Sequence, residues 1–332
     1  MQKPSVVFFG TPQIAADTLE YLINHEFRVK VVISQPDRPK GRGLHTEKTP
    51  VKLTAERYGI SVYQPEKLRT ADFTELLKSF NADFFAVIAY GRILSKDILQ
   101  IPHQACLNIH YSLLPRYRGA APVHFTLING DTETGVTVIK MDEGMDTGDI
   151  VGVRRLPVSE EDRLASLGNK LTLPGAELLA EVMQNYVQIT PVPQMHAAAT
   201  YTGKITADMS HICWSDSANT HPNLFRALHP SPGIFFMYKE RRIKITDLRT
   251  APEHIGTHKG YGAGGQEAEN YKYGQVISVG KDGILIACGE GVLSLLQLKP
   301  EGKNDMPAGD FANGYGIKPG DCLHENRTEE NK

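Results

Sequence analysis

Near its start the chain carries the stretch Ser5-Val6-Val7-Phe8-Phe9-Gly10-Thr11-Pro12. The β-branched and aromatic residues of this stretch are typical of a buried strand, and the Gly-Thr-Pro turn ends it. Apolar residues then recur at helical spacing between Ile14 and Ile23, behind a proline that suits the first turn of a helix. A buried strand followed at once by an amphipathic helix predicts the beginning of a sheet made of βα units.

The same alternation of strand and helix continues through the first half of the chain. Thr49 and Pro50 form a cap and a first turn, and Gly59 ends the helix predicted over Val51–Tyr58. Further buried strands are predicted over Val29–Ile33, Phe84–Ile88 and Ala105–Ile109. This βαβα order predicts an α/β domain with a parallel sheet, helices on both faces of the sheet and right-handed crossovers.

A long helical region follows these strands. Ser159-Glu160-Glu161-Asp162 is expected to open it, and Pro174-Gly175 is expected to split it into two helices. The composition changes in Gln188–Thr206, which is rich in proline and alanine and suits a linker. We therefore expect a first domain over residues 1–187, a linker over 188–206 and a second domain over 207–332.

Short strands with tight turns characterise the second domain. Asp282-Gly283 and Gly289-Glu290-Gly291 are turn signals. The pattern predicts a small antiparallel β-barrel, with strands over Gly233–Tyr238, Arg242–Leu248, Gly274–Val279, Gly283–Cys288 and Val292–Leu298. The glycine-rich stretch Ala251–Tyr273 is expected to form a long surface loop.

Composition and charge narrow the class of protein. Apolar residues make up 41% of the chain and charged residues 22%, which is ordinary for a globular protein with a sizeable core. The formal net charge of −2 gives no general sign of a nucleic-acid binder, although a local basic patch suffices to bind phosphates. No apolar run approaches the roughly 18 residues of a membrane span, and no secretory signal is expected. We expect a cytoplasmic protein without a membrane segment.

Metal sites have little support in the sequence. The cysteines lie far apart without a Cys-x-x-Cys pair, so neither a disulfide framework nor a structural zinc site is expected. His254 and His258 have the spacing of helical metal ligands, but they follow Pro252 in the glycine-rich stretch. We expect no bound metal.

Two polar residues at the end of the strand predicted over Ala105–Ile109 are candidates for catalysis. Asn108 and His110 are two residues apart, so they project from the same face of the strand. They also lie at its carboxyl end, where open α/β sheets place their ligands. An amide donor beside an imidazole suits a reaction in which a carbonyl oxygen gains negative charge. For these two residues alone, a buried pair without catalytic function is the more common case.

An acidic loop follows the strand predicted over Gly135–Met141. The spacing of its acids does not match a calcium-binding loop. One carboxylate has a use beside His110, where it would orient the imidazole, keep it charged or take up a proton from an attacking amine. The residues alone do not select which acid has this role among Asp142, Glu143, Asp146 and Asp149.

These features resemble the enzymes that use 10-formyltetrahydrofolate as a formyl donor. The resemblance rests first on Asn108-x-His110, on the following Ser112-Leu113-Leu114-Pro115 and on the downstream Asp146. It covers nearly the whole chain and is most specific in the first half. Further matching motifs are Phe9–Pro12, Gln35–Pro39, Gly41–Gly43, Thr49–Lys52, Ala89–Gly91, Arg116–Pro122, Gly130–Thr137, Asp146–Asp149, Trp214, Leu296–Leu298, Pro300–Lys303 and Lys318–Asp321.

The resemblance implies a Rossmann-like formyltransferase domain followed by an OB-like β-barrel that helps to hold tRNA. It implies 10-formyltetrahydrofolate as the donor and the amine of methionine on initiator tRNA as the acceptor. Asn108, His110 and Asp146 match the catalytic positions of the family. A turn matching the folate-contacting stretch is formed by Ser112, Leu113, Leu114 and Pro115. A monomer is the default expectation.

A basic loop, Asp37–Gly43, matches the position of a tRNA-contacting loop in this family. Arg42 is the first candidate for contact with the acceptor end of tRNA. An isolated basic loop is more often only solvated. Further candidates are Arg38, Lys40 and Lys204, with less support for Lys239, Arg241, Arg242 and Lys244.

Two positions depart from the family pattern. Tyr111 replaces a small residue or proline, which is expected to alter the wall beside the folate, and His124 replaces the usual glutamine. Competing functions are formylation of an amino sugar nucleotide, hydrolysis of formyltetrahydrofolate and non-catalytic tRNA binding. The Gly41–Gly43 loop and the barrel argue against the first of these, and the intact catalytic trio argues against the last. A nicotinamide enzyme is not expected, because Phe9-Gly10-Thr11 lacks the full Gly-x-Gly-x-x-Gly.

Overall fold

The computed structural model describes residues 3–40, 45–252, 271–281 and 283–323. The chain divides into two compact units. The first contains Met1–Val123, Thr132–Glu160 and Ala165–Gly203, and the second contains His124–Asp131, Glu161–Leu164 and Lys204–Lys332. Within the described ranges, no helix is long and apolar enough to cross a membrane.

The helices of the first half begin at the signals that the sequence carries. The side chain of Thr49 accepts a hydrogen bond from the backbone N–H of Lys52, with Pro50 in the first turn, which confirms the predicted cap. Thr70 caps the following long helix in the same way. The α-helices are α1 (Gln13–Asn24), α2 (Pro50–Arg57), α3 (Ala71–Ser79), α4 (Lys96–Leu99), α5 (Pro122–Ile128), α6 (Leu164–Asn185), α7 (Thr220–Leu228) and α8 (Ala308–Tyr315).

The strands of the first unit form one large sheet and two short pairs. They are β1 (Ser5–Gly10), β2 (Arg28–Ile33), β3 (Arg38–Lys40), β4 (His45–Glu47), β5 (Val62–Tyr63), β6 (Phe84–Ile88), β7 (Ala105–His110), β8 (Arg118–Gly119), β9 (Glu133–Lys140), β10 (Ile150–Pro157) and β11 (Tyr201–Thr202). The large sheet has the order β10-β9-β7-β6-β1-β2-β5. Its pairs from β7 to β5 are parallel, as predicted, whereas β9 and β10 add an antiparallel edge.

Side chains alternate between the two faces of this sheet. Phe9 and Phe85 share one buried cluster with Leu77 of α3. Ile109 faces the other way, because it lies against Gly175 of α6. Helices therefore cover both faces, as the βαβα pattern predicts, and the odd and even residues of β7 have different surroundings.

Helix α6 is continuous from Leu164 to Asn185 with Pro174 inside it, so the prediction of two helices is wrong. A proline inside a helix removes a hydrogen bond and costs about 3 kcal/mol. The buried face of α6 offsets this cost, since it includes Leu171, Leu178 and Leu179. Gly175 allows a close approach, because a Cβ atom there would lie 3.3 Å from Val136 Cγ1.

The second unit contains an antiparallel sheet of the predicted kind. Its order is β12-β13-β16-β15-β14, with β17 beside β16. The strands are β12 (Ile234–Tyr238), β13 (Arg241–Thr250), β14 (Val276–Gly280), β15 (Gly283–Ala287), β16 (Val292–Pro300) and β17 (Met306–Pro307). Trp214 packs against Phe236 of this sheet with 5.7 Å between ring centroids. Most of the glycine-rich stretch, residues 253–270, lies outside the described residues, as do His254, His258 and Asp282.

Candidate active site

Strand β7 places Asn108 and His110 in the middle of the large sheet. Asn108 pairs with Val87 of the parallel neighbour β6, and His110 pairs with Thr137 of β9. Both project from the face opposite to Ile109, so the predicted common face is confirmed. Asn108 is half-buried and His110 is buried. The two polar side chains therefore lie at the carboxyl end of a parallel strand, shielded from bulk solvent to different degrees.

A buried threonine fixes the turn that follows β7. The hydroxyl of Thr137 donates to the carbonyl of Ser112 at 2.7 Å and accepts from the backbone N–H of Leu114 at 3.2 Å. Ser112 is itself fully buried, and its hydroxyl donates to the carbonyl of Arg116 at 2.6 Å. Leu114 is also buried, whereas Leu113 and Pro115 are half-buried. The hydroxyl of Ser112 and the backbone N–H of Leu114 thus hold the turn itself, and Leu113 and Pro115 are its partly accessible members.

The two ring nitrogens of His110 have different partners. Nε2 lies 2.8 Å from the carbonyl oxygen of Tyr117, and Nδ1 lies 3.6 Å from Oδ2 of Asp146. A carbonyl oxygen only accepts, so Nε2 carries a proton and donates it. The distance from Nδ1 to Asp146 is longer than a hydrogen bond, and it is an ion-pair distance only for a protonated imidazole. His110 therefore keeps one nitrogen anchored and presents the other beside a carboxylate.

Asp146 is held in an uncommon backbone conformation. Its φ is 54°, in the left-handed region that few residues other than glycine adopt. Its Oδ2 atom also accepts the backbone N–H of Gly119 at 2.7 Å. Tyr117, whose carbonyl holds His110, has a φ of 62°. Both contacts of His110 thus come from residues in left-handed turns, which aim the carbonyl and the carboxylate at the ring.

Two of the other acids of the loop have partners elsewhere. Asp142 accepts hydrogen bonds from Gly144 and from the hydroxyl of Thr147 within the loop itself. Glu143 forms an exposed ion pair with Lys96 at 3.1 Å. Among the four candidates left open by the sequence, Asp146 is the one whose carboxylate lies against His110.

Two buried residues near Asp146 were not among the predicted site residues. Arg118 is fully buried, and its guanidinium donates twice to Oε1 of Gln194, which is 5% exposed. Nε2 of Gln194 in turn donates to the carbonyls of Asp146 and Gly148. Gln194 belongs to the segment predicted as a linker, where a single polar residue gives no recognisable signal.

The first residue of the basic loop, Asp37, is held by two neighbouring side chains. Asp37 pairs with Lys52 at 2.5 Å and accepts from Nε2 of Gln64 at 2.6 Å. Burial by itself would raise the pKa of Asp37, but the hydrogen bonds from Lys52 and Gln64 and the Lys52 charge lower it. Arg38 is exposed on β3, and Lys40 lies on the same strand. Arg42 lies outside the described residues.

The remaining candidates lie in the second unit. Lys204 is exposed in the second unit. Arg242 packs its guanidinium over the ring of Phe235 at 4.2 Å, and Lys244 donates to the carbonyl of Pro232 at 3.1 Å. In the described part of the chain, no group of three or more His, Cys, Asp or Glu side chains is placed to hold a metal ion.

The two departures from the family pattern have distinct surroundings. Tyr111 is buried, and its ring lies 3.5 Å from the position of a Cβ on Gly175, so it packs towards α6. Burial lowers the pKa of His124, which favours its neutral form.

Comparisons with known proteins match both parts of the chain. A family model described as formyl transferase matches residues 3–183, and one described as the formyl transferase C-terminal domain matches residues 204–316. The methionyl-tRNA formyltransferase of Citrifermentans bemidjiense is 41% identical over 320 residues, covering 96% of each chain. That of Thermus thermophilus is 38% identical over 318 residues, covering 96% of this chain and 98% of the relative.

Solved structures show the same fold at lower identity. The sugar 3N-formyl transferase WlaRD, crystallised with dTDP and 5-N-formyl-THF, is 18% identical with a TM-score of 0.63 and covers 92% of this chain and 100% of its own. HypX from Aquifex aeolicus, in complex with tetrahydrofolic acid, is 15% identical with a TM-score of 0.59 and covers 95% and 48%.

Proposed function

The chain belongs to the formyl transferase family, and we propose that it transfers the formyl group of 10-formyltetrahydrofolate to the α-amino group of methionine on initiator tRNA. The family models and the relatives that match nearly the whole chain confirm the resemblance seen in the sequence. The structural observation that carries the proposal is the position of His110 beside Asp146, on the strand that also bears Asn108.

In the proposed reaction the neutral amine attacks the formyl carbon, so that a C–N bond forms and the carbonyl oxygen becomes an oxyanion. Asn108 donates an amide hydrogen bond to this oxyanion. His110 donates to it from Nδ1, which requires the imidazolium form because Nε2 keeps the proton that it donates to Tyr117. Asn108 and His110 thus form the two sides of an oxyanion site.

Asp146 has two functions in this proposal. Its carboxylate balances the imidazolium charge across 3.6 Å. It also accepts, through a water molecule, the proton that the attacking amine loses. Collapse of the tetrahedral intermediate re-forms the carbonyl and breaks the bond between the formyl carbon and the folate nitrogen, which leaves with the proton that Asp146 took up through the water. These steps use only protein side chains and water.

The substrates are assigned to particular parts of the chain in the same proposal. The folate contacts the turn of Ser112, Leu113, Leu114 and Pro115, chiefly through the half-buried Leu113 and Pro115 and through main-chain atoms. The tRNA contacts Arg38, Lys40, Arg42 and Lys204. Residues 1–187 form the catalytic domain, 188–206 the linker and 207–332 the tRNA-binding domain of a cytoplasmic monomer.

The decisive experiment compares acceptors. Purified protein is incubated with 10-formyltetrahydrofolate and initiator tRNA charged with methionine, and formylmethionine is quantified after hydrolysis of the tRNA. Uncharged initiator tRNA and charged elongator tRNA serve as controls, and we expect formylation of the charged initiator tRNA to dominate. Formylation of a nucleotide-linked amino sugar without formylation of tRNA would reverse the assignment. Folate hydrolysis without any acceptor would support the hydrolase instead.

A further inference from the structure

Gln194 is buried in the first unit, where its side chain connects β8 to the loop that contains Asp146. It is 5% exposed and lies between α6 and β11. Its Oε1 atom accepts from Nη2 and Nε of Arg118, at 2.7 Å and 3.1 Å. Its Nε2 atom donates to the carbonyls of Asp146 and Gly148, at 2.8 Å and 2.7 Å. A primary amide has two donors and two acceptor sites, and all four are used here.

The donors and acceptors around Gln194 allow one orientation of its side-chain amide. The guanidinium of Arg118 only donates, and the carbonyls of Asp146 and Gly148 only accept. Rotating the amide by 180° would oppose donor to donor and acceptor to acceptor at all four contacts. A residue with a different head group would therefore lose at least two of the buried bonds, each of which is costly to leave unmade.

These bonds close a ring around Asp146. At one end, Oδ2 of Asp146 accepts the backbone N–H of Gly119. Gly119 follows Arg118 directly in β8, and the Arg118 side chain reaches Gln194. Gln194 then returns to the main-chain carbonyl of Asp146. The carboxylate and the carbonyl of one residue are thus fixed from the same short strand.

Asp146 has a specific need for such support. Its left-handed backbone, with a φ of 54°, is held only when its surroundings over-determine it. The turn is also tight, because a Cβ atom on Gly148 would lie 1.9 Å from the carbonyl oxygen of Lys140. Loss of the Gln194 bonds would free the two carbonyls that define this turn and change the direction of the Asp146 side chain.

We propose that Gln194, held by Arg118, is a positioning residue that sets the Asp146 carboxylate beside Nδ1 of His110. This inference rests on the proposed function, because it assigns Gln194 an effect on the catalytic step through Asp146. It predicts that Gln194 substitutions slow turnover while leaving the binding of both substrates nearly unchanged.

Two variants separate positioning from folding. Gln194→Met fills the same space without hydrogen bonds. Gln194→Glu keeps an acceptor for Arg118 but has no amide donors for the two carbonyls, so kcat of each variant is measured below its own thermal unfolding transition. We expect kcat to fall about tenfold to a hundredfold in both variants, as for a misplaced catalytic group, with KM values for tRNA and folate changed by less than about threefold. Gln188→Met, at an exposed position after α6, is the matched control.

A double-mutant cycle with Asp146→Asn tests whether Gln194 acts through Asp146. We expect the kcat of Gln194→Met with Asp146→Asn to equal that of Asp146→Asn alone, because the positioned group is already gone. Additive losses, or wild-type kcat in a folded Gln194→Glu protein, would overturn the proposal. If the wild-type protein formylates an amino sugar instead of tRNA, the same cycle is run with that acceptor. Failure of the tRNA assignment is thereby distinguished from failure of the role proposed for Gln194.

Discussion

His110 and Asp146 face each other across 3.6 Å, from Nδ1 to Oδ2, while the opposite ring nitrogen of His110 is bound to the carbonyl of Tyr117. The ring is therefore fixed in orientation by a neutral acceptor and exposed to charge on its reactive side. The two ring nitrogens of His110 thus have different surroundings: a neutral carbonyl at Nε2 and a carboxylate near Nδ1. In the proposed mechanism, the carbonyl of Tyr117 therefore orients the imidazole, and the carboxylate acts electrostatically beside Nδ1.

Asp146→Asn should lower kcat strongly. The amide keeps the size of the side chain but removes the negative charge and the proton acceptor, and general base functions are typically worth about 10²–10⁴ in rate. The measurement is the steady-state rate with saturating charged tRNA and folate. Glu143→Gln is the control in the same loop, because Glu143 has only an exposed ion pair with Lys96. Equal kcat values for the two variants would contradict the assignment of Asp146.

Asn108→Ala should reduce kcat about a hundredfold to a thousandfold, as expected when an oxyanion donor is removed. The KM for folate should change little, because the bond to the oxyanion is stronger in the transition state than in the bound substrate. Asn169→Ala, at an exposed position of α6, is the control. A normal kcat in a folded Asn108→Ala protein would remove Asn108 from the oxyanion site.

The strand end with Asn108 and His110 was predictable because a period of two places both residues on one face, whatever the rest of the chain does. The choice among the acids was not predictable from the residues alone, since it depends on the left-handed turn at Asp146. Only the family resemblance selected Asp146, and its role stays a prediction.

Gln194 shows what local patterns miss. Its partners Asp146, Gly148 and Arg118 are 48, 46 and 76 positions away in the sequence. No periodicity or turn signal reports such contacts. Pro174 shows the converse. It is a strong local signal for a helix end, but α6 continues through it because burial of the apolar face stabilises the helix.

Gly148→Ala should destabilise the loop and lower activity together. The added methyl group would lie 1.9 Å from the carbonyl oxygen of Lys140, so the backbone must move. Gly168→Ala is the matched control, since a Cβ atom there has no neighbour within 4 Å and the residue lies inside α6. We expect Gly168→Ala to stabilise by up to about 1 kcal/mol with normal kcat. Thermal unfolding and steady-state rates measure both effects, and wild-type behaviour of Gly148→Ala would contradict the close approach of Gly148 to Lys140.

His124→Gln should make the stability less sensitive to acid. Burial lowers the pKa of His124 in the folded protein, so below about pH 6.5 the unfolded chain binds a proton that the folded chain resists. The stabilisation from this group is fully present above about pH 6.5 and is lost as the pH falls towards the folded pKa. We expect the wild-type melting temperature to decrease more than that of the variant between about pH 8 and pH 5.5. Parallel decreases in the two proteins would show that His124 does not contribute.

Arg38→Ala should weaken binding of charged tRNA in a salt-dependent manner. Arg38 is exposed on β3, directly after Asp37, whose ion pair with Lys52 and hydrogen bond from Gln64 anchor this end of the hairpin. A cation on an anchored strand loses little freedom when it meets a phosphate. Each phosphate contact adds about 0.7–0.9 to the slope of log affinity against log salt. We therefore expect the variant to lose up to one such increment, with kcat at saturating tRNA unchanged.

The measurement for Arg38→Ala is the dissociation constant of charged tRNA over a series of salt concentrations. Lys78→Ala, which removes an exposed cation paired with Glu75 on α3, is the control and should keep the wild-type slope. If Arg38→Ala and Lys78→Ala gave the same slope, Arg38 would make no contact with a phosphate of the tRNA.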